Sequence, residues 1–170
     1  MADAFWRPCV RHRLSFAPSI NVLHGSVSKM KILVAVDGSA QSLKALERAL
    51  ALAAAMSQPP GLTLINVHND SFVRRHQGVV GREAVDEYLA EFHEHDLKDA
   101  MALLQSRGVQ CQVLRESGEL APTITRTAEG GGFDMIVMGA KGRSGLGDLL
   151  LGSVASRVLS HSRVPVLVVP

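Results

Sequence analysis

Disulfides, membrane spans and a basic face are all missing from this chain. Its two cysteines, Cys9 and Cys111, are too few for a disulfide framework. A reducing, cytoplasmic setting is therefore expected, with Cys111 a buried free thiol in an apolar alternation. The longest stretch rich in alanine and leucine, Ala45 to Met56, is broken by Glu47 and Arg48 and falls well short of the roughly 20 apolar residues that a spanning helix needs. No membrane segment is expected. The net charge of +2 is carried by the first 29 residues, where Arg7, Arg11, Arg13 and Lys29 face Asp3 alone; the remainder holds 14 basic against 15 acidic residues. So neutral a body lacks the clustered basic surface of a nucleic-acid binder.

Common catalytic and nucleotide signatures are missing as well. A P-loop requires Gly-Lys before Ser or Thr, and no Gly-Lys pair occurs; Gly145-x-Gly147 would need a third glycine where Leu150 stands. The run His93-Glu94-His95-Asp96 is no HExxH motif, because Leu97 takes the place of the second histidine. Residues two apart on a helix point roughly 200° away from each other, so His93 and His95 cannot share one ion. A solvated helix face is the expectation for this tetrad. Ser39, Ser144 and Ser153 are better explained as caps or anion donors than as nucleophiles, and no second carboxylate obviously joins Asp37, so chemistry is not demanded.

What is present describes one domain. With 46% apolar and 20% charged residues, the chain is long enough for a single core. From Met30 onward, short apolar runs alternate with longer stretches of helical period, the signature of βα units and a parallel sheet. Strands are predicted at Lys31 to Val36, Leu62 to Val67, Val109 to Arg115, Phe133 to Met138 and Val166 to Val169. Helices are predicted at Ser39 to Ser57, Arg82 to Arg107, Leu120 to Glu129 and Ser153 to His161, with Pro59-Pro60-Gly61, Gly108 and Gly130-Gly131-Gly132 as stop signals. Ser39 is the expected N-cap of the first helix, and Leu43, Leu46, Leu50 and Ala53 its core stripe. Asn69 to Gly81 reads as an extended surface loop, a solvated connector or a mobile edge of a site. Residues 1–29 show no sustained period and read as an extension, disordered or translated from upstream of a natural start at Met30, ahead of a domain spanning 30–170. A transit peptide and a binding arm are the alternatives.

The positive signal is glycine. Gly139-x-x-Gly142 follows the apolar run Phe133 to Met138, and nine residues later Gly152-Ser153 opens a helix, while Asp37 closes the earlier run Lys31 to Val36. Glycine lets backbone amides approach a ligand closely, and a helix N-terminus offers unpaired donors at a positive dipole end. Parallel strands share one carboxyl edge, so Asp37 and Gly139 end at the same edge of the sheet. Lys141 and Arg143 can add charge there. His68 follows the second strand at that edge too, where it could approach a ligand or be satisfied by backbone.

This joint spacing resembles the universal stress protein family, in the pattern of its ATP-binding branch, over Met30 to Pro170. The resemblance implies an α/β fold of the adenine nucleotide alpha hydrolase-like type: a single doubly wound five-stranded parallel sheet, order 3-2-1-4-5, with helices on both faces. It further implies that the backbone at Ala35 and Val67 lines an adenine pocket and that Asp37 serves the ribose or a bound metal. The Gly139 to Gly145 loop, including Lys141, Gly142, Arg143 and Ser144, would hold the phosphates with Gly152, Ser153 and Val154. ATP, with or without magnesium, is the implied ligand. The implied assembly is a homodimer through the last strand, Val166 to Val169, whose edge needs covering. Leu149, Leu150 and Leu151 would pack under the last helix or join that contact. Three roles follow: a nucleotide-binding stress-response or signalling protein; a slow ATPase or autophosphorylating protein using Asp37; or an interaction protein of a branch that binds no ATP.

Overall fold

The computed structural model describes residues 29–70, 82–143 and 151–170. The extension at 1–28, the 71–81 part of the connecting loop, and 144–150 with Ser144 and Gly145 lie outside the described residues. The strands are β1 (Lys31–Ala35), β2 (Gly61–His68), β3 (Gln112–Ser117), β4 (Met135–Gly139) and β5 (Val166–Val169). The helices are α1 (Ala40–Ala55), α2 (Arg82–Ser106), α3 (Leu120–Gly130) and α4 (Ser153–His161). They form one sheet in the order β3-β2-β1-β4-β5, parallel at every pairing.

Period-two alternation along each strand divides the apolar residues between two faces. Ile32, Val34 and Leu64 point into a cluster with Ala45, Leu46, Ala49 and Leu50 of α1 and Leu97, Ala100 and Leu104 of α2. Leu33, Ile65 and Ile136 point the other way, onto Ala121, Ile124 and Ala128 of α3 and Ala155 and Val158 of α4. Both faces of the sheet are therefore covered, which is what makes its strands nearly continuous apolar runs. The buried stripe of α1 is Ser42, Ala45, Leu46, Ala49 and Leu50, with the expected Leu43 and Ala53 only half-buried. Leu43 lies at the flank of this face, roughly 100° around the axis from Ser42, and Ala53 lies near the carboxyl end of the helix.

Two strands start later than the apolar runs suggest, for one shared reason. Gly108, at φ +64°, ends α2 with Gly108 N–H donating to Gln105 and Val109 N–H to Leu104. Gly132, at φ +62°, does the same for α3, with Gly132 N–H on Glu129 and Phe133 N–H on Ala128. This paired hydrogen-bond pattern is the Schellman cap, in which the residue after the glycine folds back on the helix. Val109 and Phe133 are thus used by the caps, and β3 and β4 begin only at Gln112 and Met135.

Candidate functional site

The chain runs from β1 outward to β2 and β3, then returns past β1 to β4 and β5, so the winding reverses between β1 and β4. A crevice opens at such a switch point, beyond the carboxyl ends of the strands. Here it is a cavity of about 260 Å³. Every expected site residue within the described range lines it. Ala35, Asp37, Val67, Gly139, Lys141, Gly142 and Arg143 come from the ends of β1, β2 and β4, and Gly152, Ser153 and Val154 from the start of α4. Its lining is mixed: the apolar side chains of Ile65, Val67, Leu120, Ile124 and Met138 meet backbone and polar groups of Asp37, Gly142 and Ser153. A larger groove of about 570 Å³ lies at the amino ends of β2 and β3, around Pro60 to Leu62 and Gln110 to Gln112, against the carboxyl end of α1. Cys111 lines it, half-buried where a buried thiol was expected, and partial burial raises its pKa and keeps the thiol protonated.

The helices meeting the cavity differ in how many free donors they offer. At α1, Ser39 Oγ accepts from Ser42 N–H, and Asp37 Oδ1 accepts from both Ser39 N–H (3.0 Å) and Ser39 Oγ (2.6 Å). The Ser42 amide of that terminus is thus taken by its own cap. At α3, Glu119 in the cap position places a carboxylate at the terminus, and Pro122 in the first turn removes a donor. At α4 the cap is Gly152, which has no side chain to spend on the first turn. The amides of Ser153 and Val154 therefore face the cavity with the helix's positive end behind them.

The glycines act by close approach and not by special dihedrals: among the described residues φ is positive at Gly38, Gly108, Gly118 and Gly132, and at none of the three motif glycines. A Cβ on Gly142 would stand 2.8 Å from Asp37 Oδ2, and one on Gly152 would stand 3.2 Å from Ala140 O. Gly139 is bare for a different neighbour, because its Cβ would stand 2.9 Å from the backbone carbon of Gln41 in α1. The turn after β4 is thus pressed on three sides. Gly152 N–H donates to Ala140 O at 2.7 Å, and Arg143 N–H donates to Asp37 Oδ2 at 3.2 Å.

Arg143 is where the structure departs most from the sequence reading. Its guanidinium forms a fork on Asp96 of α2, Nη1 to Oδ1 at 2.9 Å and Nη2 to Oδ2 at 2.7 Å. Asp96 is 2% exposed and His93 is 5% exposed, which corrects the expectation of a solvated tetrad. Only Glu94 and His95 face solvent. The signal was present in the spacing, since His93 and Asp96 are three apart and lie on the stripe that continues through Leu97, Ala100 and Leu104. Asn66 of β2 joins them: its amide nitrogen donates to Val36 O at 2.8 Å and to Asp96 Oδ2 at 3.3 Å, and its oxygen meets His93 Nδ1. His68 also turns to this group, with Nε2 2.9 Å from Asp96 Oδ2. The approach does not have hydrogen-bond geometry, so we treat it as an electrostatic contact.

Because Asn66 spends its amide hydrogens elsewhere, its oxygen must accept, and neutral His93 donates from Nδ1. Burial first, then the charges of His68 and Arg115, hold the His93 pKa below its ordinary 6.5, against a smaller opposite pull from Asp96. Below pH 6.5 the unfolded chain takes a proton that the folded chain resists. The stabilisation is therefore complete above that pH and is lost as pH falls through the lower folded value. The urea midpoint should drop between pH 7.5 and 5.5, and His93→Gln should lessen the drop. An equal drop in the variant would place the titration elsewhere.

Residues 30–170 match the model of the universal stress protein family. The chain is 36% identical over 146 residues to the universal stress protein YxiE of Bacillus subtilis, covering 82% of this chain and 97% of YxiE. The solved structure of protein MJ0577 of Methanocaldococcus jannaschii superposes with a TM-score of 0.71 at 26% identity, covering 84% of this chain and 96% of that one. A universal stress protein family protein of Arabidopsis thaliana, crystallised with AMP bound, has the same fold at a TM-score of 0.53 and 18% identity, covering 82% and 90%. With residues 30–170 matched by the family model and YxiE covered over nearly its whole length, the chain belongs to the universal stress protein family.

Proposed function

We propose that the protein binds an adenine nucleotide, ATP, in the crevice between β1 and β4, and acts in stress response or signalling as a cytoplasmic homodimer. The observation that carries this reading is the mixed lining of the cavity. Its apolar side chains, with the backbone of Ala35 and Val67, suit a purine ring. The bare amides of Ser153 and Val154 and the close-packed turn from Gly139 to Arg143 suit phosphates. The AMP complex of the Arabidopsis relative is an instance of an adenine nucleotide held by this fold. Asp37 fits a ribose hydroxyl or a magnesium ion: its oxygens take three hydrogen bonds, out of roughly four acceptor sites on a carboxylate. Magnesium characteristically uses one or two carboxylates with substrate phosphates and water. When bound, it would neutralise phosphate charge. Ser144 and Gly145 complete the proposed phosphate loop.

The test is calorimetric titration of the full chain with ATP, with and without magnesium, alongside chromatography of nucleotide released on denaturation. Saturable binding at or below millimolar ATP is expected. No heat and no released nucleotide would refute the reading and favour the branch of the family that binds none. Phosphate release abolished by Asp37→Ala would add slow hydrolysis to the role.

The dimer rests on β5. It pairs only with β4 among the described strands, and Val166, Leu167 and Val168 are only half-buried, which leaves an apolar edge for a second copy to cover. Light scattering at micromolar concentration should give twice the chain mass; a monomer would sink this part of the proposal.

A further inference from the structure

We propose that Asp96 is a positioning residue of the phosphate loop: by gripping Arg143 it sets where the Gly142 and Arg143 amides stand, without touching nucleotide itself. The inference deepens the nucleotide reading and rests on it. Sequence alone makes Arg143 a free cation for phosphates, and the geometry makes it a bolt. Its side chain is fastened by two hydrogen bonds to a carboxylate whose side chain is 1% exposed, while its own side chain is 48% exposed. The same residue's N–H is fastened to Asp37 Oδ2. Arg143 therefore spans from the end of β1 to the middle of α2, and the glycine turn hangs between these two points.

Asp96 is itself fixed by its surroundings. Asn66 ties it to Val36 O, the last residue before Asp37. Gly38 lies directly on it, such that a Cβ there would stand 3.1 Å from Asp96 Cα and 3.2 Å from Oδ1. His68, at the end of β2, closes the remaining side. One buried carboxylate thus takes its position from β1 and β2 and passes it to the turn after β4, the three strand ends that frame the cavity. Withdrawing the guanidinium toward a phosphate would leave that carboxylate buried without its fork, which burial makes costly, whereas a solvent-facing phosphate contact returns little. The arginine therefore stays, and the amides of Gly142, Ser153 and Val154 meet the phosphates, the Arg143 N–H being held by Asp37. A lysine could not replace it, because a point charge makes no planar fork.

The experiment uses the full chain with Asp96→Asn, Arg143→Gln, Arg143→Lys and the double variant Asp96→Asn/Arg143→Gln. ATP affinity is measured by calorimetry, and the exchange of the Gly142 and Arg143 amides by NMR in nucleotide-free protein. Each single variant should weaken ATP roughly tenfold, and the double variant should be no weaker than the singles, since both break one contact. Arg143→Lys should not recover the loss. Loop amide exchange should rise while that of Ile136, in the core of β4, stays unchanged. If Asp96→Asn binds ATP as well as or better than the wild type, or if Arg143→Lys restores affinity, Arg143 is a phosphate ligand and the proposal is overturned. Unchanged loop exchange overturns it equally. Should Asp96→Asn fail to fold, the half-exposed Arg143 variants test the same contact from the solvent side. A wild type that binds no ATP refutes the nucleotide reading, and the exchange comparison then still decides whether Asp96 orders the loop.

Discussion

Gly142→Val should abolish measurable ATP binding and leave the fold intact. The glycine is half-buried, and a Cβ there would stand 2.8 Å from Asp37 Oδ2, closer than a carbon and an oxygen tolerate. Asp37 cannot simply rotate away, since Ser39 N–H, Ser39 Oγ and Arg143 N–H hold its two oxygens. The valine must therefore push the turn outward, breaking the Arg143 to Asp37 bond and intruding on the cavity beside Asp37. A loss of at least about 100-fold in affinity is expected, or about 2.7 kcal/mol. Stability should change by no more than about 1 kcal/mol, because no core side chain is displaced. Gly130→Ala is the control: a Cβ there meets nothing within 4 Å, at the last residue of α3, so both binding and fold should survive. Affinity within a few-fold of wild type in Gly142→Val would remove the turn from the site.

The fold was legible because its signals are local. Alternation of short apolar runs with helical periods gives βα units, and Gly108 and Gly132 mark the helix ends, so the nine elements among the described residues fall within a few residues of their predicted places. The errors at the starts of β3 and β4 arise where an apolar residue serves a helix cap instead of a strand, a distinction that composition does not carry. The crevice was legible for a related reason: residues just past parallel strands must share an edge, and a helix that opens with Gly-Ser has bare amides. Which strands are neighbours came from family resemblance and not from periodicity.

The Asp96 group was missed because it is a matter of distance in space. Asn66, His93, Asp96 and Arg143 come from two strand ends and a helix, with up to 77 positions between them in the numbering. A buried carboxylate looks the same in sequence as an exposed one. Its helical stripe was the only local clue, and a tetrad of four polar residues concealed it. The same limitation explains Cys111, whose alternation suggested burial but which sits before β3 at a groove where the strand has not yet begun.

Gly139 tests how far a single motif divides into separate functions. In sequence, Gly139-x-x-Gly142 is one signature, but the two positions oppose different neighbours. A Cβ on Gly139 would stand 2.9 Å from the Gln41 backbone carbon, 3.0 Å from its Cβ and 3.1 Å from its carbonyl oxygen. Gln41 belongs to the first turn of α1, whose other end of contact is the buried core of Ala45, Leu46 and Ala49 against β1 and β4. A backbone cannot swing aside as a side chain can, so the helix itself must lift from the sheet. Gly139→Ala should cost about 1–3 kcal/mol and Gly139→Val more, by overpacking, read as a lower urea midpoint with unchanged slope. Affinity for ATP should fall less than in Gly142→Val when measured well below the melting transition, because the turn beyond Ala140 keeps its contact with Asp37. The pair of variants separates the two jobs: one glycine lets α1 pack, and the other lets a ligand approach. A Gly139→Ala protein as stable as the wild type, within about 0.5 kcal/mol, would mean that α1 does not lie against β4 as described. The register of the whole crevice would then have to be redrawn, since Asp37 and Ser42 line it on the one continuous stretch of chain that carries Gln41.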